Sequence, residues 1–254
     1  MRLLSYNILD GGEGRADPLA EVMIAQRADI VAVVEADDVA VQERIGKRLK
    51  MDYVVGESAK HSAACYSRWR IAESINHSAL HPDLKGSYLE VKVLEPAGRT
   101  WEIGVVHMPA HALEENETQR ERELATLLKI FASHRRERRP HLLVGDFNSN
   151  SPIQNIDPTK CKQSTREEWK ANGGHIPRRV VQSILDAGYI DTLAAFDLDQ
   201  AANRGSFSTQ FPGQRVDYIF AFGFDKSQVR SAWCEQDRLA KYASDHFPVG
   251  VEIE

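Results

Sequence analysis

Short apolar runs that end abruptly in polar residues restrict the possible folds of this chain more than any other feature. The clearest run is "LLVGDFN", in which Leu142, Leu143 and Val144 lead through Gly145 to Asp146. An apolar run without polar alternation is typical of a strand that is covered on both faces. The chain is therefore expected to place further layers of structure on each side of such strands.

The polar residues that follow this run allow two interpretations. Side chains alternate along a strand, so Asp146 and Asn148 are predicted to point to the same side. The residues from Asn148 to Pro152 also form a dense turn signal, and Asp and Asn in turns commonly bond to nearby backbone groups. This stretch alone fits a turn as well as it fits a functional site.

Length and composition predict one globular domain. The chain has 254 residues, of which 42% are hydrophobic and 27% are charged, which is ordinary for a soluble domain. It contains no repeat, low-complexity tract or linker, so residues 1–254 are predicted to form a single domain. The net charge of −5 weakens the case for a nucleic-acid partner without excluding it, because a local basic patch is sufficient.

The cysteines and the apolar segments predict a cellular location. Three cysteines lie far apart without CxxC spacing, which favours neither a disulfide framework nor a zinc knuckle and fits a reducing compartment. No transmembrane segment is predicted, because no apolar run approaches the roughly 20 residues that span a bilayer. The N-terminal stretch "MRLLSYNIL" lacks the features of a signal peptide. A cytoplasmic location is the resulting expectation.

The order of the predicted elements indicates two mainly strand-built layers with helices outside them. A helix is predicted in "DPLAEVMIAQRA", with Asp17 as its N-cap and Pro18 at its first position. Residues 151–178 form the least regular segment, which is net basic and is expected to be a functional or disordered loop. Strands are predicted in RLLSYNIL, DIVAVVEA, YVVGE, AACYSRWRI, SYLEVKVLE, RTWEIGVVHM, HLLVGDFN, RVDYIFAF and HFPVGVEIE.

Polar residues stand at the ends of six of these strands. One polar strand end carries no information, but six with the same few residue types are hard to assign to turns. Oxygen ligands without sulfur suit Mg²⁺ or Mn²⁺, and histidines beside carboxylates suit acid-base work or the stabilisation of a charged phosphoryl group. Together they fit in-line attack of water on a phosphate ester. The residues are Asn7, Glu35, His107, Asp146 with Asn148, Asp217, and Asp245 with His246.

Six motifs in this order resemble the series of the endonuclease/exonuclease/phosphatase family. They are "SYNIL", "VVEAD", "VVHMPAH", "GDFNS", "RVDYIF" and "SDHFPV", and they extend from residue 5 to residue 249. The resemblance implies a four-layer α/β sandwich, in which two mainly antiparallel sheets pack face to face with helices outside. It also implies a divalent-metal-dependent phosphoesterase that uses Mg²⁺ or Mn²⁺ and hydrolyses phosphodiester bonds, with a nuclease favoured.

The resemblance assigns three residues to a metal ion. Glu35 is similar to the family's main metal-binding carboxylate. Asn7 lies beside it as a metal or phosphate contact, and Asp245 is expected to reach the metal. The family often has Gln before the metal-binding Glu, whereas this chain has Val34, so metal affinity is expected to differ.

The resemblance assigns five further residues to catalysis. Asp146 resembles the residue that positions or deprotonates the attacking water, and Asn148 would hold that water or a phosphate oxygen. His246 resembles the histidine that contacts the scissile phosphate, and Asp217 would orient it. His107 matches the histidine of the nuclease and phosphatase branches, where the AP-endonuclease branch usually has Tyr, so that branch is disfavoured.

Other functions and other residues remain open at this level. The same site could serve a hydrolase of small-molecule or lipid phosphoesters, and a catalytically silent binding module is least favoured because no predicted position is lost. The expected partner is a phosphoester substrate, with DNA or RNA as candidates, and the oligomeric state stays open. Asp37 and Asp38 are interpreted as the N-cap of the next helix. The remaining histidines expected at the surface are His61, His77, His81, His134 and His141.

Overall fold

Two six-stranded sheets form the framework of the protein. The computed structural model describes residues 1–254. The strands are β1 (Arg2–Asn7), β2 (Ile30–Val34), β3 (Asp52–Gly56), β4 (Ala63–Ser67), β5 (Arg70–Asn76), β6 (Ser87–Leu94), β7 (Thr100–His107), β8 (His141–Asp146), β9 (Ile190–Asp191), β10 (Asp217–Phe222), β11 (Val229–Cys234) and β12 (Val249–Ile253).

The helices lie outside these sheets, and short 3-10 helices occur in three of the connections. The helices are α1 (Ala16–Ala25), α2 (Val39–Leu49), α3 (His77–Leu80), α4 (Glu114–Ile130), α5 (Ala132–Arg136), α6 (Gln163–Ala171), α7 (Arg179–Asp186), α8 (Thr192–Phe196), α9 (Leu198–Asn203) and α10 (Arg238–Ala243). None of them is both long and apolar enough to cross a membrane.

Both sheets have the same arrangement of neighbours. The first has the strand order β11-β12-β1-β2-β4-β3, and the second has the order β5-β6-β7-β8-β10-β9. At the centre of each sheet lies its one parallel pair, β1 with β2 and β7 with β8, and the other pairings are antiparallel. Strands of one sheet pack against strands of the other, so the predicted sandwich of two mainly antiparallel sheets is confirmed.

The apolar run in β8 is buried on both faces, as its sequence predicts. Leu142 and Val144 belong to the larger core cluster of 44 residues, which fills the space between the sheets and continues under α1 and α2. Leu143 points the other way, into a cluster of 15 residues between the second sheet and the helices α4 and α7. Burying each such side chain stabilises the fold by roughly 1.5–3 kcal/mol. Packing on both faces of β8 therefore stabilises this strand.

Three local predictions were wrong. Helix α1 begins at Ala16 after Arg15, and Asp17 is inside the first turn, where it pairs with Arg44 at 2.8 Å. The stretch "AACYSRWRI" is divided between β4 of the first sheet and β5 of the second, because the chain crosses between the sheets there. Residues 151–178 contain α6 and a 3-10 helix rather than one irregular loop.

Candidate active site

The topology brings the polar strand ends to one edge of the sandwich. Strands β1 and β2 are parallel and adjacent, so Asn7 and Glu35 leave their sheet at the same edge. In the second sheet, the register pairs Asp146 at the end of β8 with His107 and with Asp217. Because the sheets face each other, side chains that are distant in sequence converge at this edge.

The carboxylate of Asp146 lies at the centre of this group and is 1% exposed. The Nδ2 of Asn7 donates a hydrogen bond of 3.2 Å to Asp146 Oδ2. The Nε2 atoms of His107 and His246 lie 3.8 and 3.7 Å from the same oxygen. Residues from both sheets therefore address one buried oxygen atom.

Asn148 reaches the site by a route that strand alternation does not explain. It lies beyond the end of β8 with a left-handed φ of 48°. Its backbone N–H donates to Asp146 Oδ1 at 2.8 Å, which is the turn contact expected of an Asp in that position. Its side-chain amide donates to the Met108 carbonyl at 2.9 Å. The turn interpretation is therefore confirmed by this contact, and Asp146 and Asn148 both line the cavity described below.

His246 is held as an imidazolium by two carboxylates. Its Nδ1 lies 2.8 Å from Asp217 Oδ2, and both side chains are buried. Burial by itself would lower the pKa of His246, but the negative charges of Asp217 and then Asp146 outweigh it and raise the pKa to about 10. The positive form is therefore present at neutral pH.

The pKa values of two residues near His246, Asp146 and His107, shift in opposite directions from each other. Burial, followed by the charge of Asp217, raises the pKa of Asp146 to about 7, although His246 opposes the shift. Burial, with the nearby positive charges of His61 and His246, lowers the pKa of His107 to about 3. His107 is therefore neutral where His246 is charged.

Glu35 is fixed by hydrogen bonds on both carboxylate oxygens. Asn7 Nδ2 donates to Oε1 at 2.9 Å, and the backbone N–H of Asp10 donates to Oε2 at 2.7 Å. Glu35 has a left-handed φ of 59°, a conformation that is unfavourable for a residue with a Cβ. Such strain is common at functional sites and costs about 1–3 kcal/mol.

The carboxylate of Asp245 has one satisfied and one unsatisfied oxygen. Lys162 Nζ donates to Oδ2 at 3.0 Å, whereas Oδ1 is buried, has no hydrogen-bond partner and lies 3.9 Å from His246 Nε2. Asp217 Oδ1 is also buried without a partner. Buried oxygens that lack a partner are costly, so they fit a site that takes up a cation.

Two sets of side chains at this site could hold a metal ion. The sequence motifs predict Asn7, Glu35 and Asp245, whereas the ligand atoms of Asp146, Asp217 and His246 all lie within 4.8 Å of one another. Both sets are dominated by oxygen donors, and the three cysteines are buried elsewhere in unpaired form. This donor chemistry fits Mg²⁺ or Mn²⁺.

A cavity of about 390 Å³ opens above these residues. Six predicted site residues line it, and Asn7 and Asp217 are not among its lining residues, so they support the site from behind. The lining set comprises Glu35, His107, Asp146, Asn148, Asp245 and His246.

The sequence did not reveal a second histidine-carboxylate pair in the same cavity. His61 Nδ1 lies 2.9 Å from Asp37 Oδ2, and this hydrogen bond raises the pKa of His61. Only Asp38 caps α2, through a 3.0 Å bond from the backbone N–H of Val41. Asp37 is therefore free to bind His61, which no motif in the sequence signals.

Two other histidines are not at the surface, contrary to prediction. His77 is buried and lies 2.7 Å from a carboxylate oxygen of Glu90. His141 is 1% exposed and lies 2.7 Å from the Tyr189 hydroxyl, and burial lowers its pKa to about 4. Neither residue lines the cavity, and neither do their partners Glu90 and Tyr189.

Solved structures of similar fold come from several organisms. The 3'-5' exonuclease of Neisseria meningitidis superimposes with a TM-score of 0.75 at 20% identity, covering 100% of both chains. An AP endonuclease of Archaeoglobus fulgidus gives 0.73 at 18% identity, covering 100% of this chain and 99% of the other. TDP2 of D. rerio with single-strand DNA product gives 0.68 at 18%, covering 99% and 97%. These likenesses establish the fold.

The family is established by the sequence itself. No curated protein matches the chain significantly. A family model described as "Endonuclease/Exonuclease/phosphatase family" matches residues 4–246, which is nearly the whole chain. This match confirms the predicted family and, with it, the predicted class of enzyme, a phosphoesterase of the nuclease and phosphatase kind. The chain belongs to the endonuclease/exonuclease/phosphatase family.

Proposed function

We propose that the protein is a divalent-metal-dependent nuclease that hydrolyses phosphodiester bonds by in-line attack of water. The observation that carries this proposal is the buried Asp146 carboxylate, whose Oδ2 lies 3.8 Å from Nε2 of His107 and 3.7 Å from Nε2 of His246. A base beside a fixed positive charge is the arrangement that water activation and phosphoryl transfer require.

Asp146 is proposed as the base. Burial raises its pKa to about 7, so its carboxylate accepts a proton from water more readily than an ordinary aspartate does. As the water oxygen forms its bond to phosphorus, its proton passes to Asp146. The bond from phosphorus to the leaving oxygen breaks, and that oxygen keeps the electron pair and takes a proton from solvent water. Asn148 would hold the water or a phosphate oxygen at the mouth of the same cavity.

The two histidines are proposed to stabilise charge in different ways. His246, kept positive by Asp217, would contact the scissile phosphate and neutralise the negative charge that develops on its oxygens. His107 is neutral, so it would offer a hydrogen bond to the phosphate without adding charge. Asp217 acts through His246 and is a positioning residue.

Glu35, Asn7 and Asp245 are proposed to hold the metal ion. The cluster of Asp146, Asp217 and His246 is the weaker candidate, because Asp217 already bonds to His246 and an imidazolium has no lone pair for a metal. The orphaned Oδ1 of Asp245 and the absence of thiol ligands support Mg²⁺ or Mn²⁺. When bound, such a cation neutralises charge on the phosphate oxygens.

Nucleic acid is the proposed substrate, and residues 1–254 are proposed to act as one domain. D. rerio TDP2, which shares the fold, is described with single-strand DNA product. The proposed site uses residues from both sheets, which supports a single functional unit. Three free, buried cysteines support a reducing location, for which the cytoplasm is our proposal.

A substrate panel with and without metal tests this function. Plasmid, single-stranded DNA and RNA should be cleaved with Mg²⁺ or Mn²⁺, cleavage should stop after exhaustive chelation, and it should return when the metal is restored. Full activity after chelation would contradict the metal requirement. Turnover of inositol phosphates or sphingomyelin with intact nucleic acids would instead establish the small-molecule or lipid phosphoesterase.

A further inference from the structure

The second histidine-carboxylate pair is built into the wall of the cavity. Asp37 Oδ2 lies 2.9 Å from His61 Nδ1, and Asp37 Oδ1 accepts the backbone N–H of Ser62 at 2.6 Å. The hydroxyls of Ser58 and Ser87 donate to the His61 carbonyl. The position of His61 is therefore fixed through both its side chain and its backbone.

The other ring nitrogen of His61 is available to a ligand. Its Nε2 makes no hydrogen bond to the protein, and the residue lines the cavity. Its ring lies 5.5 Å from the ring of His107, between centroids. His61 therefore lies immediately beside the residues proposed for catalysis, and the proposed reaction gives His61 no role.

Two lysines from separate loops line the same cavity. Lys60 makes no salt bridge, and Lys85 Nζ bonds only to the carbonyl of Pro82, at 3.0 Å. The loop that carries Lys85 is anchored, because buried Glu123 accepts the backbone N–H groups of Lys85 and Gly86 at 3.0 Å. By contrast, Lys162 near the cavity is already paired with Asp245.

We propose that Lys60, His61 and Lys85 form a subsite for a second phosphate of the substrate, the one next to the scissile phosphate along a strand. This set is called the His61 subsite. The scissile phosphate would lie over the carboxylates of Asp146 and Glu35, and an adjacent phosphate needs unpaired cationic or N–H donors nearby. The inference rests on the proposed function and narrows its substrate to phosphodiesters with at least two phosphates.

The size of the cavity agrees with this assignment. Its volume of about 390 Å³ falls in the range of sites that enclose ligands much larger than one phosphate group. The carboxylates at its floor repel anions, so the cations of the His61 subsite would offset that repulsion for a polyanion. A substrate with a single phosphate would gain nothing from them once it is bound for cleavage.

Two short substrates separate the second phosphate from the first. Dithymidine monophosphate has one phosphate and trithymidine diphosphate has two, and kcat/KM is measured for both with Mg²⁺. For the unmodified protein, the ratio of kcat/KM for the trinucleotide to kcat/KM for the dinucleotide should exceed the factor of two given by the extra bond by about tenfold. A factor of about ten is what one charge-assisted contact contributes. His61→Gln, Lys85→Ala and Lys60→Ala should each lower that ratio, mainly through KM.

Matched controls exclude a general effect of the substitutions. His175 pairs with Glu114 at 3.2 Å on the surface, and Lys47 is an exposed lysine of α2, and neither lines the cavity. His175→Gln and Lys47→Ala should leave the ratio unchanged. A ratio near two in the unmodified protein, or an unchanged ratio in all three subsite variants, overturns the proposal. Thermal melting identifies a variant that fails to fold, and the exposed Lys60 provides the variant least prone to that.

A binding measurement keeps this inference separate from the proposed catalysis. Calorimetric titration of metal-free protein in EDTA compares the two nucleotides without turnover. The trinucleotide should bind more tightly, and the subsite variants should weaken its binding about three- to tenfold. If no substrate is cleaved while this difference persists, the proposed function fails and the subsite stands. If cleavage occurs and the difference is absent, the subsite fails alone.

Discussion

His107 and His246 contain the same side chain but carry different charge, and the difference comes from their neighbours. Both are buried within 4 Å of Asp146. His246 also bonds to Asp217, which holds it positive, whereas His107 has no such partner and is neutral. Two histidines of one site therefore carry different charge, because burial dominates for His107 and the nearby carboxylates outweigh burial for His246.

Replacing the central carboxylate should stop catalysis without unfolding the protein. We expect Asp146→Asn to lower kcat on the order of a hundredfold or more, because it removes the base. Burial raises the pKa of Asp146, so its ionised form is unfavourable in the folded protein, and the neutral amide should not lower the melting temperature. Asp52→Asn, on the exposed face of edge strand β3, is the control. A near-normal rate, or unfolding, would contradict the assigned role.

The rate should depend on pH in a bell shape. Asp146, with a raised pKa of about 7, must be ionised, so kcat/KM should rise as pH increases through that value. His246, with a raised pKa of about 10, must be protonated, so the rate should fall as pH passes it. The same raised pKa means that the His246–Asp217 pair stabilises the fold fully below the ordinary pKa of 6.5 and less as pH approaches 10. Steady-state kinetics would refute the predicted rate profile if kcat/KM of the His246→Gln variant still declined at alkaline pH.

At the scale of elements, β8 depends on the close approach of β7. Gly145 has a φ of 138°, and a Cβ on it would fall against the carbonyl oxygen of Val106. We expect Gly145→Ala to destabilise the protein by on the order of 3 kcal/mol, because conformational strain and a backbone clash combine. Gly98→Ala tests strain alone, since its φ is 90° and no atom lies within 4 Å, and it should cost about 1–2 kcal/mol. If urea unfolding shows the same loss of stability for Gly145→Ala and Gly98→Ala, the clash is absent.

Helix α4 supports two loops of the site through buried charge. Arg120 donates to the carbonyls of Pro109 and His111, each at 2.7 Å, and pairs with Glu117. Glu117 also accepts the Ser149 hydroxyl at 2.9 Å, so it links α4 to the segment after β8. The helix therefore fixes the loops that follow His107 and Asp146.

Removing this arginine should affect both stability and turnover. We expect Arg120→Met to cost about 3–5 kcal/mol, because it leaves Glu117 buried without its partner. Folded protein should also show a lower kcat, because the loop after His107 loses its anchor. Arg122→Met, on the exposed face of the same helix, should change neither unfolding by urea nor kcat. Equal stability of the two variants would count against the anchoring role.

At the scale of the whole molecule, the net charge of −5 does not describe the charge at the cavity, which Lys60 and Lys85 line. No residue of the basic segment 151–178 lines the cavity. Lys162 is paired with Asp245, and Lys160 is 73% exposed, lies 3.8 Å from Asp157 and does not line the cavity. The unpaired cations of the cavity come instead from the loops that carry Lys60 and Lys85.

The rate of DNA cleavage should therefore depend on salt concentration, because a few cations of the cavity contact phosphates of the substrate. The logarithm of kcat/KM is expected to fall with the logarithm of salt concentration, with a slope of roughly −0.7 for each neutralised phosphate of a single strand. Lys60→Ala should flatten the slope, and Lys160→Ala, a matched exposed lysine outside the cavity, should leave it unchanged. A slope that changes only with Lys160→Ala would restore the basic segment as the contact surface.

Local sequence patterns predict most of the strands and helices and the class of enzyme. Apolar residues such as Leu142 and Val144 indicate a buried strand from the local sequence alone. Each polar residue at a strand end is close in sequence to the strand that positions it. The motifs from Asn7 to His246 identify the family, whose model matches residues 4–246. For these reasons the sandwich, the clustered strand ends and the enzyme class could all be read without coordinates.

The pairing of distant residues, and the charge that each of them carries, depend on the tertiary fold. "AACYSRWRI" reads as one strand, because local apolar content does not reveal that the chain changes sheets near Arg68. The pairs Asp37–His61 and Lys162–Asp245 join separate loops, and no spacing predicts them. A pKa depends on burial and on the sum of nearby charges, so the charge of His246 follows from the packing of two sheets and not from its position in the sequence.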